Sequence, residues 1–206
     1  GDELDRFEGE GRVAKVITKG GRELDAELVV IGAGVAPDVR LASGAGLQIG
    51  ARGGVRTDER LQTSAAGIFA AGDICEYSSP MHGGDLRVEH WDVAFNHGRV
   101  AALNMSGQEV PYDVVPYFFS DLADWVSLEY VGPAFQWDGE IVRGSHEEGA
   151  FTTWFVGEGR VRGALAVGRS EDLDHARRLI ASGAVLDEVA LAALSDTGSD
   201  LSALGA

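Results

Sequence analysis

The stretch Leu61–Ile74 reads LQTSAAGIFAAGDI and closes on Gly72-Asp73. A short apolar strand, Ile68-Phe69-Ala70-Ala71, is expected just before that pair. The chain then leaves the C-terminal end of a buried strand, where α/β folds receive ligands. Gly72 lets a ligand lie against bare backbone, and Asp73 offers two acceptor oxygens to its hydroxyls. The alternative reading is an aspartate that caps the following turn. Further on, Arg87-Val88-Glu89-His90-Trp91 opens a helical pattern. A helix N-terminus presents unpaired N–H groups and a partial positive charge, which suits an electron-rich group. The alternative there is a first-turn acid, Glu89, and a core aromatic, Trp91. A third segment, Pro116-Tyr117-Phe118-Phe119-Ser120-Asp121, sets three aromatic faces in a row. His82, His97, His146 and His175 show no helical ligand spacing with an acid, so no metal site is expected.

Regular elements must position these residues. Arg12–Ile17 and Glu27–Ile31 read as strands, the first a hairpin arm that turns at Gly20-Gly21 and the second an apolar run covered on both faces. Glu27–Arg40, ELVVIGAGVAPDVR, invites comparison with a Gly-x-Gly-x-x-Gly phosphate cradle. Gly32 and Gly34 fit its first two places, but Pro37 holds the third, and Arg52-Gly53-Gly54 arrives before any second strand could end in an acid. A cradle is not expected here. A helix is expected from about Glu89 to Asn104, with Trp91, Ala94, Phe95, Gly98, Ala101, Ala102 and Met105 as one apolar stripe and Gly107 just beyond its end. From Pro111 the segments WVSLEYVG, EIVRGSHEEG, AFTTWFVGEG and RVRGALAVG alternate with glycine turns, as in an antiparallel sheet. Ser170 is expected to cap the helix EDLDHARRLIAS, which Gly183 stops. A short helix and a frayed tail are expected to close the chain.

Composition narrows the partners. The 33 acids against 17 bases give a formal charge of −16, so nucleic acid and anionic membranes are poor partners. The single Cys75 excludes an internal disulfide and any all-cysteine metal site. No apolar run approaches the ~20 residues of a membrane span, and no signal sequence opens the chain, which points to a cytoplasmic setting. The chain opens at Gly1 directly into structured-looking sequence, as a fragment would.

Thr63-Ser64-x-x-Gly67-Ile68-Phe69-Ala70-Ala71-Gly72-Asp73 resembles the second FAD motif of flavoproteins with two dinucleotide-binding domains. Arg87–Trp91 and Pro116–Asp121 are similar to segments of the ferredoxin/rubredoxin-reductase and apoptosis-inducing-factor branch of the pyridine nucleotide-disulfide oxidoreductases. The resemblance implies that Asp73 bonds the ribityl chain of FAD and that Gly72 permits the approach. It implies that Glu89 meets NAD(P)H while His90 and Trp91 meet the flavin. Phe119 stands where relatives usually carry Trp beside the flavin and nicotinamide, and Glu129 matches a further nicotinamide-side position. Ile31–Asp38 resembles the end of the NAD domain, with Gly34 facing the nicotinamide. No His-Pro pair is present, which argues against disulfide reduction.

The resemblance implies an α/β plus α+β protein: a partial Rossmann-like FAD/NAD(P)-binding region, then a C-terminal antiparallel-sheet reductase domain. Residues 1–50 would end the NAD(P)H-binding domain, 51–110 would return to the FAD-binding domain, and 111–206 would form the C-terminal α+β domain. The first FAD motif and the NAD(P)H glycine motif are expected before residue 1. The implied activity is electron transfer from NAD(P)H through FAD to an iron–sulfur protein, with no protein group as chemical catalyst, and the branch allows a homodimer through the C-terminal domain. Alternatives are monodehydroascorbate-type reduction or a non-catalytic interaction or dimerisation fragment.

Overall fold

The computed structural model describes residues 1–205. They form two compact units, Gly1–Ala36 and the remainder from Pro37 onward. The first unit is a three-stranded antiparallel sheet of β1 (Leu4–Glu8), β2 (Lys15–Thr18) and β3 (Glu23–Asp25), in that order. The hairpin expected at Gly20-Gly21 joins β2 to β3, and the Thr18 N–H bonds the Arg22 carbonyl at 3.0 Å. Glu27–Ile31 is not the buried strand its composition suggests. It has no strand conformation, and Leu28 and Val30 are 80% and 89% exposed. A doubly covered strand needs a neighbour on each side, and no strand of this unit pairs with it.

The second unit opens with a one-turn helix, α1 (Arg40–Gly44). A small sheet follows, in which β4 (Val55–Thr57) runs parallel to β5 (Cys75–Ser79) and β6 (Gly84–Leu86) pairs antiparallel with β5. Ile68–Ala71 contributes one bridge, Gln62 to Phe69, rather than a strand. It is too short to carry a ladder of its own; Phe69, Ala70 and Ala71 pack half-buried against the cluster of Leu61, while Ile68 is exposed. The long helix α2 (Trp91–Met105) forms as expected, and Gly107 follows it with φ +84°. Its buried side, however, is Val93, His97, Val100 and Ala101, packed on Leu61, Tyr77 and Tyr112. The stripe through Trp91, Phe95 and Met105 faces outward, because both stripes have helical spacing and the small sheet covers only the first.

Beyond α2, β7 (Tyr117–Leu122), β8 (Val126–Val131), β9 (Gly139–Ser145), β10 (Ala150–Gly157) and β11 (Arg160–Val167) build one antiparallel sheet ordered β7-β8-β11-β10-β9. Alternate residues of β10 and β11 are buried under α3 (Asp172–Ser182), with Trp154, Ala164, Leu173 and Leu179 at the centre. Ser170 does not cap α3 with its side chain; its hydroxyl is turned to Glu129. Gly183 ends the helix in the left-handed region at φ +61°. After α4 (Glu188–Ser195) the tail is pinned rather than frayed. Leu201 is buried, and Arg178 donates to the carbonyls of Leu201 and Leu204 at 2.8 and 2.6 Å. The buried Arg143 guanidinium binds the carbonyls of Ala193, Asp196, Thr197 and Ser199 and lies 3.3 Å from the Asp172 carboxylate. Among the described residues no helix is long and apolar enough to cross a membrane.

Candidate functional site

Gly72 adopts φ +78°, a conformation costly for any residue with a Cβ. Its carbonyl accepts the Cys75 N–H at 2.9 Å, and its own N–H donates to Nδ1 of His97 at 3.2 Å. The turn pushes Asp73 to the surface. Its carboxylate takes no hydrogen bond or ion pair among the described residues, so the capping alternative is not realised. The Asp73 carbonyl is engaged by Arg87 Nη1 at 3.1 Å, and the same nitrogen meets the Glu89 carboxylate at 2.5 Å. Arg87 also donates to the Arg52 carbonyl at 3.2 Å. One largely buried guanidinium thus ties the Gly-Asp turn to the start of α2.

That start is open. His90 is the N-cap residue but makes no side-chain cap, and the first helical bond runs from the Ala94 N–H to the His90 carbonyl. The preceding N–H groups are left for an acceptor from outside the helix. Burial pushes the His90 imidazole below its ordinary pKa, against smaller opposing effects of the Tyr117 backbone, Asp73 and Asp92. The ring stacks on Phe118, centroids 5.0 Å apart. Trp91 is 72% exposed and stacks on Phe95 at 5.5 Å, so it is not a core aromatic.

Gly72, Asp73, Glu89, His90 and Trp91 are therefore brought together. Phe119 and Glu129 form a separate group on the sheet. Strand alternation turns Phe119 to the side opposite Phe118, beside Tyr117 and across the ladder from Glu129. Both Glu129 oxygens are occupied, one by the Tyr117 hydroxyl at 2.6 Å and the other by the Ser170 hydroxyl. Burial first, then the Glu129 bond, raises Tyr117 to about 12, and Arg177 lies over its ring at 4.9 Å. Gly34 belongs to the first unit and takes φ +71° with open space around its Cα.

Two residues escape a reading of the sequence. Arg87 stands inside a recognised segment but carries no signal of what it bridges. His97 is fully buried against Tyr77 and Tyr112, at centroid distances of 4.7 and 4.3 Å. Burial depresses its pKa to about 4. A histidine at helical spacing from Val93 and Val100 was the available signal. Among the described residues no group of acids, cysteines and histidines is arranged to hold a metal.

A mixed α/β fold with an uncapped helix start beside a Gly-Asp turn, followed by an antiparallel sheet domain, defines a class. Residues 1–98 match the family model of pyridine nucleotide-disulphide oxidoreductases, and residues 117–205 match that of the reductase C-terminal domain. The chain belongs to the pyridine nucleotide-disulphide oxidoreductases, in the branch of ferredoxin reductases and apoptosis-inducing-factor-like proteins. It is 39% identical over 171 residues to the ferredoxin–NAD(+) reductase component of an anthranilate 1,2-dioxygenase system from Burkholderia cepacia, covering 82% of this chain and 41% of that protein. It superposes on the ferredoxin reductase for the CYP199A2 system from Rhodopseudomonas palustris with a TM-score of 0.86 at 32% identity, covering 98% of this chain and 48% of the other. Putidaredoxin reductase, solved in covalent complex with putidaredoxin, gives a TM-score of 0.81 at 30% identity, covering 93% and 46%. The chain spans less than half the length of these relatives.

Proposed function

We propose that this chain is part of a FAD-dependent NAD(P)H oxidoreductase that passes electrons to an iron–sulfur protein. The observation that carries the reading is the Gly72-Asp73 turn, with its unpaired carboxylate beside the uncapped start of α2. The residues fit the group: a side-chain-free backbone, a carboxylate with both oxygens free for ribityl hydroxyls, and N–H groups able to face an electron-rich ring edge. Bound FAD would supply the redox chemistry, accepting hydride and releasing electrons singly.

The chain's own residues bind and orient. Asp73 receives the ribityl hydroxyls, and Gly72 keeps the approach clear. His90 and Trp91 meet the flavin. Arg87 holds the Glu89 carboxylate, which the resemblance turns to NAD(P)H; the resemblance also gives a nicotinamide-side role to Phe119 and Glu129 on the sheet and, within the first unit, to Gly34. In this reading residues 1–50 close the NAD(P)H-binding domain, 51–110 belong to the FAD-binding domain, and 111–206 form the C-terminal reductase domain, which also offers a surface for a homodimer. A cytoplasmic setting, where NAD(P)H is regenerated, suits such an enzyme.

The test is a visible absorption spectrum of the purified chain after incubation with FAD and filtration. A flavin spectrum is expected to be retained, and Asp73→Ala is expected to weaken binding by about 10- to 100-fold, the worth of hydrogen bonds to a charged group. A colourless wild-type chain would count against this half-site as a flavin site.

A further inference from the structure

We propose that His97 is a positioning residue: as a neutral imidazole protonated at Nε2, it accepts the Gly72 N–H at Nδ1 and so presets the Gly72-Asp73 turn for its ligand. That the ligand is FAD rests on the function proposed above; the preset turn does not.

Glycine is free to occupy many backbone conformations, so φ +78° at Gly72 must be fixed by its neighbours. The Cys75 amide holds its carbonyl side, and His97, reaching from the middle of α2, holds its N–H. An amide can only donate, so the acceptor nitrogen must carry its lone pair, which sets the tautomer. The edge-on rings of Tyr77 and Tyr112 clasp the imidazole from two directions. Flipping the ring would replace Nδ1 by a carbon and would have to displace both tyrosines.

The opposite nitrogen shows why histidine, rather than an apolar ring, is informative. Nε2 is buried without a partner, a costly arrangement. A phenylalanine would fill the same space without burying that nitrogen. What it would lack is the acceptor at Nδ1, and that acceptor serves one group, the amide of the residue before Asp73. Packing alone gives no reason for the imidazole; positioning the turn does.

The test uses the 206-residue chain labelled with nitrogen-15. A scalar coupling across the hydrogen bond, from the Gly72 amide nitrogen to His97 Nδ1, is expected, together with protonation of Nε2. Absence of the coupling with Nδ1 protonated overturns the proposal without any variant having to fold. Two variants then separate positioning from packing. His97→Asn places its amide oxygen at the distance of Nδ1, whereas His97→Phe keeps a ring and removes the acceptor. Gly72 amide exchange and FAD affinity, read by flavin fluorescence, are expected near wild type in the asparagine variant. Both are expected to shift about tenfold in the phenylalanine variant, the effect of one hydrogen bond. Equal behaviour of the two variants overturns the proposal. Retained coupling in a chain that binds no FAD supports the preset turn and overturns the cofactor assignment.

Discussion

At the scale of single residues, the candidate site divides by how its members announce themselves. Gly72 and Asp73 stand out as candidates in the sequence because a Gly-Asp pair after an apolar run suits a strand end and resembles a FAD motif, although in the structure the run is a single bridge. His97 was not legible, since its role depends on a residue 25 positions away that only the packed fold brings near. Its burial has a consequence for acid stability. The imidazole titrates near 6.5 when unfolded and near 4 when folded, so between those values the unfolded chain binds more protons. The stability it contributes is complete above pH 6.5 and is lost as pH falls towards 4, to a total of about 3 kcal/mol. Tyr77, Tyr112 and Cys75, which crowd the same core, are all shifted upward and remain neutral through that window. Urea unfolding at pH 7 and pH 4.5 is therefore expected to show a drop in wild type that exceeds the drop in His97→Asn by about 2–3 kcal/mol. Parallel losses in the two proteins would show that His97 is not buried neutral. Gly72→Ala, by contrast, is expected to cost about 1–2 kcal/mol at any pH, because the left-handed backbone penalises a Cβ even where space exists. A wild-type urea midpoint in that variant would place the turn in another conformation.

Elements were read best where their pattern admitted one solution. The four glycine-punctuated segments after Pro111 became β8 to β11 because alternation over six to eight residues fits a sheet with one covered face. Helix α2 is legible, but its inner face only in part: two stripes share its periodicity and meet at the buried Ala101, while Trp91, Phe95 and Met105 of the more aromatic one are exposed. The tail departs from its sequence pattern for a different reason. Local turns at Asp196 and Asp200 shape Ser195–Leu204, but Arg143 and Arg178, from a strand and a helix, tie its carbonyls to the domain. Removing the Arg143 guanidinium leaves the buried Asp172 with Arg169 and Thr152 as partners and strips several carbonyls of theirs. Arg143→Ala is therefore expected to destabilise by about 3–5 kcal/mol, the range for breaking a buried pair. In urea melts the variant should unfold at a far lower midpoint, with amides of residues 196–204 losing exchange protection. A midpoint within 0.5 kcal/mol of wild type would show that the tail holds without this clasp.

At the scale of the whole chain, the apolar run at Leu28–Ile31 poses the sharpest contrast between composition and structure. Read as a sequence it is a strand buried on both faces, and the family resemblance places it at the end of a nucleotide-binding sheet. In the structure it has no ladder, and Leu28, Val30 and Ile31 are open to solvent while Val29 is half-buried. The residues are suited to burial; what is absent is a covering neighbour within Gly1–Ala36. Apolar periodicity reports what a segment can bury, and only the fold decides whether it is buried. No backbone N–H from Glu27 to Val39 donates a hydrogen bond among the described residues, whereas β10 and β11 are bonded along their length and packed under α3. Exchange protection follows such bonding and burial. In native-state hydrogen–deuterium exchange of this chain, amides 27–36 should exchange within an order of magnitude of the unprotected rate, while those of β10 and β11 should be slowed by about a thousandfold or more. Strand-like protection of residues 28–31 in the isolated chain would mean that a second copy or the rest of the chain covers the run, and that the first unit does not stand as described.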